Sequence, residues 1–515
     1  MKKDVRNVWH DIVTVILLAL FLQVPIFYGL VKLSIVSCNV MPGFIYKFSP
    51  GSVRNSDSVD DATPDAHSES FQIKRDTAGS QLNEDSADAA TVTSNLTRKL
   101  QKQYSLRPHG HAHYPFVQFS AYRDSPRVFF IVGVTSVVAR EFDLPVYKCE
   151  WYPKSEPPQP SKVTDAKMIY VYFDQMPRIY VVATVNCTFE EDAVLGEEGG
   201  SLFMTVSVGP HPGDTKRVLV LQEHNGESKK AMRNQDQQPP LKYAFCGPPM
   251  YGNIKAEWVL HWLVYHHYLW RDSVHFFLYN VGGITDSVRK VISPFINKGL
   301  LTIYDVEDQK EYPSWYYNQL LFSNDCLHRT RYLSSWTFFH DFDEFFTMSS
   351  SITLDKLLDQ YKDVPYLSFG SVRASLWMCA DVHAGSSEWP LQRMRWAEKQ
   401  PYCCVPNQDP WVCIYGGGAR KYVVNPRKVF AVGVHSTALP EDGGVNLNAS
   451  IVRLNHYPGM LSNKTSSCSF TVNVSMPTEL LHQYAPSSQS YVRDDSISIQ
   501  MGKAREFDAE LLAAS

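Results

Sequence analysis

The stretch WTFFHDFDEFF, from Trp336 to Phe346, crowds Asp341, Asp343 and Glu344 onto the end of an aromatic run. Carboxylates in such surroundings are costly unless something pairs them. Read as one strand, the stretch puts Asp341 and Asp343 on a shared face with Thr337 and Phe339, and Trp336, Phe338, His340 and Phe342 on the other. Glu344 then points away, unless a turn redirects it. Two carboxylates aimed at one point suit a hard divalent cation that keeps positions open for phosphate oxygens. Such an ion neutralises charge building on a diphosphate leaving group. Two rival readings are a solvated acidic turn and a carboxylate pair for glycoside hydrolysis. The second normally draws its acids from different elements flanking the substrate, which neighbours on one strand do not provide.

Other residues have a weaker claim. His435 and His456 each follow an apolar stretch, and either can serve as a third metal ligand or as a structural histidine. The glycine-rich IYGGGARK, Ile414 to Lys421, fits neither spacing of the phosphate-cradling loops and reads as a loop. Arg420, Lys421, Arg427 and Lys428 offer cations to a diphosphate, with solvated surface as the alternative.

The elements that must position these groups alternate. KYAFCGPP, SVHFFLYNVGG, LLTIYDVED and the acidic stretch read as strands. IKAEWVLHWLVYHHYLW, DSVRKVISPFINKG and YNQLLFSNDCLHRTRY carry helical apolar spacing between them. Strand–helix alternation of this kind predicts a doubly wound α/β domain, from 241 to 490, that binds ligands beyond the carboxyl ends of its strands. Before it, β-branched and aromatic runs such as RVFFIVGVTSVVAR and RIYVVATVNCTF predict a small β-sandwich from 113 to 222. Its aromatics can bind sugar or, as for Trp151 and Tyr152, fill the core. A polar linker, 223–240, joins the two, and 491–515 reads as a C-terminal tail.

The N-terminus suggests a compartment. Ile12 to Val31 carries no charge and matches the ~20 residues a membrane-spanning helix needs, with Lys2, Lys3 and Arg6 before it. This predicts a cytosolic tail (1–11), a signal anchor (12–33) and a disordered Ser/Asp-rich stem (34–112) on the far side of the membrane. Sequons at Asn95, Asn186, Asn448, Asn463 and Asn473 agree with that side, as do the ten cysteines. Cys149 and Cys187 form a candidate pair in the sandwich, and Cys403, Cys404 and Cys413 are available to others. A net charge of -4 gives no support for nucleic-acid binding.

Taken together, YKCEWYP, VVATVNCTF, FCGPPMYGN, EWVLHWLVYHHY, YYNQLLFSNDCLHR, WTFFHDFDEFF, ARKYVVNP and VGVHS resemble glycosyltransferase family 92, and within it the plant galactan synthases. The resemblance runs from about Phe116 to Asn455. It implies a GT-A fold behind a carbohydrate-binding-like β-sandwich, and an inverting transferase of the Golgi membrane, single-pass type II with its catalytic domain lumenal. It also implies a UDP-sugar donor, UDP-galactose in the galactan synthases, and manganese. By the same resemblance Asp341 and Asp343 hold manganese with His435 or His456. Asp341 and the loop from Cys246 to Asn253, with Gly247, Pro248 and Tyr251, face the UDP-sugar, while Gln319 and Asp325 orient the metal strand. Inversion needs a general base. Glu388, Asp381 and Glu398 follow the metal strand, and Glu388 and Glu398 are the named candidates. The acceptor expectation is a polysaccharide such as the β-1,4-galactan side chains of pectin, with a homodimer as an open option. Family members commonly read closer to FFDVDEY at the acidic motif. The differences here, and the insertion-like EKQPYCCVPNQDPWVCIYGGG, leave a second reading: a membrane-tethered glycan-binding protein with a degenerate transferase domain.

Overall fold

The computed structural model describes residues 101–109, 114–137, 145–154, 161–171, 179–190, 199–207, 216–227, 237–306, 308–381, 388–398, 420–440, 443–460, 468–473, 475–485 and 490–513. The expected anchor, most of the stem, Asn95, Asn463 and the segment with Cys403, Cys404 and Cys413 lie outside them. Among the described residues no helix is long and apolar enough to cross a membrane.

Nine strands come first: β1 Gln101–Tyr104, β2 Arg107–His109, β3 Phe116–Arg123, β4 Val128–Ser136, β5 Val146–Pro153, β6 Lys162–Val171, β7 Tyr180–Thr188, β8 Gly200–Ser207 and β9 Lys216–Glu223. Eight of them, in the order β2-β3-β4-β7-β6-β5-β8-β9, fold into two layers. The layers meet at β6, whose first half pairs with β5 and whose second half pairs with β7. Alternation supplies the core between them: Phe129, Ile131, Tyr147, Trp151, Val185, Leu202 and Met204 all point inward. A Cys149–Cys187 disulfide ties the layers together. Trp151 is fully buried, whereas Tyr152 reaches the surface.

β1 departs from expectation. It belongs to the region read as stem, yet it forms an edge strand parallel to β12 (Leu301–Val306) of the larger sheet. That sheet opens with β10 (Leu241–Met250), α1 (Ala256–Trp270), β11 (Val274–Asn280), α2 (Asp286–Asn297) and β12, followed by α3 (Trp315–Thr330) and β13 (Ser334–Phe339). Next come β14 (Glu344–Met348), α4 (Leu354–Gln360), β15 (Tyr366–Arg373), β16 (Met378–Ala380), α5 (Pro390–Arg393) and β17 (Trp396–Glu398). The chain then forms β18 (Arg420–Val424), β19 (Ala431–Val432), β20 (Thr437–Leu439), β21 (Val445–Asn446), β22 (Val452–His456) and β23 (Phe470–Val472). The strand order is β1-β12-β11-β10-β13-β18-β15-β22-β14. β12, β11, β10 and β13 run parallel, and β18 is antiparallel to β13. The winding reverses between β10 and β13, so the crevice for a ligand opens at their carboxyl ends.

α1 fills one side of the sheet because its apolar residues surround most of its circumference. Trp262 and Phe245 meet edge to face with centroids 4.5 Å apart. α3 fills the other side and is itself covered by the sandwich. Phe119 of β3 meets Phe322 of α3 at 5.5 Å, and Phe130 of β4 stacks on His328 at 4.6 Å. Residues from both sheets therefore share one apolar core around α3.

The C-terminus also corrects the reading. Instead of a tail, 491–513 forms β24 (Tyr491–Arg493), α7 (Ser496–Phe507) and α8 (Ala509–Ala513), after α6 (Thr478–Tyr484). Ile497, Met501, Ala504 and Leu511 are buried in the same core as α1. Asp508 accepts from the buried His267 ring at 2.8 Å.

Candidate active site

β13 is a central strand for a physical reason: Trp336 and Phe338 pack toward α1 while Phe339 packs toward α3, so both faces are covered. The strand ends at Phe339. The chain then turns through Asp341–Asp343, where the Glu344 N–H donates to the Asp341 carbonyl at 3.1 Å, and re-enters the sheet as β14. The acids thus sit on a turn and not along one strand. His340 is buried among Phe245, Phe338, Phe346 and Phe369, and burial holds its ring neutral, far below the usual histidine range. Phe342 lies against Trp262. His340 and Phe342, two of the positions that differ from the commoner family pattern, are therefore packing residues.

The turn changes the role of Glu344, which strand alternation had set aside. Its side chain is 3% exposed, and it accepts from the Asp341 backbone N–H at 2.9 Å. Lys421, 2% exposed, reaches in from β18 to Asp341 Oδ2 at 2.9 Å and Glu344 Oε2 at 3.3 Å. Gln319 of α3 donates to Asp341 Oδ1 at 2.8 Å, and the Trp262 indole donates to the Asp341 carbonyl at 3.0 Å. Burial alone would push Lys421 down, but the two carboxylates raise it above its ordinary value. Burial would raise Asp341, and the Lys421 ammonium outweighs it, so Asp341 falls below the usual carboxylate value. Glu344 has the weaker share of that lysine, and burial pushes it up to about 7.

Asp343 lies on the other side of the turn. Its Oδ2 is 3.5 Å from His456 Nε2, and its carbonyl accepts from the Tyr457 N–H at 2.8 Å. Residue pairing places Glu344 opposite His456 across β14 and β22. Burial would lower His456, but Asp343 reverses that and raises it. His435 is exposed at the same mouth, and its Nδ1 faces the Arg420 carbonyl at 3.2 Å. The open donors are carboxylate oxygens, which suit magnesium or manganese, and imidazole nitrogens, which favour a transition ion. Of that set, the structure draws Asp343 and His456 together, with Asp341 beside them. Among the described residues no three such groups close around one point.

The remaining expected site residues fall in different places. Cys246 is bonded to Cys326 of α3 and buried, so its sulfur does not face a nucleotide, and the role assigned to it is corrected to a structural one. A Cβ on Gly247 would meet Leu278 Cδ2 at 2.3 Å, so a larger residue there would push that side chain aside. Pro248 and Tyr251 are half-buried and Asn253 is exposed at the end of β10. Asp325 does not touch the acids. It accepts from Tyr122 of β3 and Tyr279 of β11 and pairs with Arg329, which joins the sandwich to the larger sheet. Glu388 pairs with Arg395 at 2.8 Å near α5, and Asp381 is exposed after β16. Glu398 faces Arg373 at 3.9 Å, and Arg373 is the register partner of His456. That pairing sets Glu398 on the His456 flank. Arg427 and Lys428 lie away from the acids: Arg427 donates to the Gln237 carbonyl and Lys428 to the Asp363 carbonyl. Arg420 donates to Ser368.

Lys421 and Glu344 are the two that sequence reasoning misplaced. One signal was available for Lys421: in RKYVV it alternates with Tyr422 and Val424, on the face shared with the buried Val423. A lysine on an inward face demands a buried acid.

Residues 242–489 match the model of glycosyltransferase family 92. The galactan beta-1,4-galactosyltransferase GALS1 of Arabidopsis thaliana is 30% identical over 414 residues, covering 79% of this chain and 78% of that protein. GALS2 of the same plant is 27% identical, covering 78% and 76%. The beta-1,4-galactosyltransferase galt-1 of Caenorhabditis elegans is 25% identical, over 42% of this chain and 48% of its own. This chain belongs to glycosyltransferase family 92, an enzyme family of glycosyl transfer.

Proposed function

We propose that this glycosyltransferase moves galactose from UDP-galactose to a polysaccharide acceptor, the β-1,4-galactan side chains of pectin, with inversion at the anomeric carbon. The carrying observation is the acid turn at the reversal of the sheet. Asp341 is locked by Gln319 and Lys421, while Asp343 stays open beside His456. Galactose, the β-1,4 linkage and a galactan acceptor are taken from the names of the relatives at 27% and 30% identity, and the UDP carrier and pectin from the family resemblance. We further propose that the chain is a Golgi type II membrane protein anchored through residues 12–33.

Asp343 and His456, with Asp341, would hold the divalent cation, which when bound supplies positive charge to the departing diphosphate. The protein's own part is positioning. Gln319 and Lys421 fix the Asp341 carboxylate so that it does not reorganise as charge develops. Glu398, on the His456 flank, would take the proton from the acceptor hydroxyl.

A donor-by-acceptor screen with linkage analysis of the product tests the reading. Transfer of galactose into a β-1,4 linkage is expected. Transfer of another sugar, or no transfer across the panel with glycan binding retained, would overturn it.

A further inference from the structure

Strand pairing carries a row of side chains outward from the acid turn. His456 of β22 stands opposite Arg373 of β15. Arg373 reaches Glu398 at 3.9 Å across the Ala374–Ala397 bridge, and Glu398 of β17 stands opposite Tyr491 of β24. Directly paired residues share one face of a sheet, so the four lie on the face that His456 turns toward Asp343. Neighbouring strands are about 4.8 Å apart, which puts Tyr491 roughly 14 Å along the row from His456. The two faces of this extension differ. One is sealed: Val372 and Ala397 are buried there, with Val492 and Ala449 packed against them. The face of the row is open: the Arg373 side chain is 63% exposed, that of Glu398 38% and that of His456 32%.

Beyond Glu398 the row becomes aromatic. Trp377 donates its indole N–H to the Tyr491 hydroxyl at 3.2 Å and meets that ring edge-on at 5.7 Å, and Phe470 lies 5.7 Å from Trp377. All three are half-buried: they cap a small apolar cluster of Met378, Trp396, Val472 and Leu481 without being enclosed by it. Trp396 and Arg493 lie two residues from Glu398 and Tyr491 and so share their face. With Met476, His482 and Tyr491 they line a crevice of about 20 Å³. That volume holds one water or one hydroxyl and is too small for a sugar ring. The buried Nε2 of His482 has no hydrogen-bond partner among the described residues. Buried polar atoms are nearly always paired, so this nitrogen calls for a hydroxyl in the crevice.

A polymeric acceptor needs more room than its reacting hydroxyl. With that hydroxyl at Glu398, the rest of the chain must run away from the acid turn, and the row is the surface continuous with it. A sugar ring presents an apolar C–H face and a rim of hydroxyls. Aromatic rings with a polar handle suit the first, and the charged pair and the crevice suit the second. We infer that Arg373, Tyr491, Trp377 and the His482 crevice form a track that holds the acceptor polysaccharide behind its reacting residue. This rests on the metal, base and galactan readings above, to which it adds the direction of the acceptor chain.

Initial-rate kinetics of the full-length protein with UDP-galactose and Mn2+ test the track, with β-1,4-galactobiose and β-1,4-galactohexaose as acceptors. The wild type should have the lower KM for the hexaose. Trp377→Ala should raise the hexaose KM by about 10-fold or more, with the KM values for galactobiose and UDP-galactose unchanged. Trp377→Tyr, which keeps a ring, should recover most of the hexaose KM. His482→Ala removes the partnerless imidazole and should raise the hexaose KM about threefold with the melting temperature retained. A hexaose KM within about twofold of the wild type in both alanine variants overturns the track and leaves the transferase reading standing. Equal KM values for the two acceptors in an active wild type do the same. A rise shared by both acceptors and the donor also overturns the track, because it marks a structural role. Asn473, of a sequon, borders the same crevice, so the variants are also made on Asn473→Gln. Effects that vanish there overturn the track, because the rings would then serve the protein's own glycan. A wild type that transfers galactose to neither acceptor defeats the galactan reading beneath the track, and the track with it.

Discussion

The two sides of the acid turn differ by one buried cation. Around Asp341, the carboxylate oxygens, the backbone N–H and the carbonyl all have protein partners, and Lys421 neutralises the charge. Around Asp343 one imidazole stands at 3.5 Å, itself 32% exposed, and among the described residues no lysine pairs with it. The closed side resembles a structural ion cluster and the open side resembles a binding site. Two aspartates one residue apart thus divide the work: the first is held so that the second, with His456, can meet a ligand.

Four expected outcomes would break or sharpen that contrast. The largest is Lys421→Ala. It strands the buried Glu344 and the half-buried Asp341, and denaturant unfolding should show a loss of about 3–5 kcal/mol. A loss below about 1 kcal/mol would mean the lysine acts as an ordinary surface ion pair. Next is Asp343→Ala, on the open side. Sugar transfer should fall at least about 100-fold, roughly 2.7 kcal/mol of barrier, with the melting temperature nearly unchanged. Unaltered transfer, or full activity in excess chelator, would remove the metal role.

The third outcome is a pH dependence. Glu344 is raised to about 7 when folded, above its unfolded value, so its contribution is present below the unfolded pKa and is lost as pH rises through 7. His456, also raised, loses its contribution in the same direction as pH climbs past its folded value. Asp341 is depressed and loses its contribution only in acid, as pH falls through its folded pKa. Metal-free protein should therefore lose about 1–3 kcal/mol between pH 5 and pH 8, and Glu344→Gln should flatten most of that slope. A slope that Glu344→Gln leaves intact would show that another group titrates. The smallest effect is expected away from the turn. Tyr122→Phe deletes one hydroxyl donated to Asp325 and should cost about 0.5–1.5 kcal/mol with transfer retained. A large fall in transfer at constant stability would make the sandwich contact part of catalysis.

Much of the frame was legible beforehand. The alternation of apolar periods from Leu241 to Phe339 matches the observed strands and helices because each element's own residues decide its period. The Cys149–Cys187 pair was also in reach, since both residues lie in one small domain. The motif Asp341-x-Asp343 marked the right place in the chain. What the alternation could not show was where β13 stops. The turn after Phe339 depends on Tyr457 and Trp262, which bind the carbonyls of Asp343 and Asp341 from distant parts of the chain. Strand alternation past that point sets Glu344 aside, and the turn is what redirects it toward Lys421.

The same limit explains the remaining differences. Residue type and spacing by themselves determined an α/β chain with paired acids at the end of a strand, preceded by a β-rich region. Tertiary structure alone decided that Lys421, 80 residues away, neutralises one of those acids. It also decided that Cys246 is spent on a disulfide with Cys326, that the C-terminal helix seals α1, and that the sandwich covers α3. Periodicity records which face of an element is apolar. It does not record which partner covers that face, because the contacts that bury a charge join residues far apart in the chain.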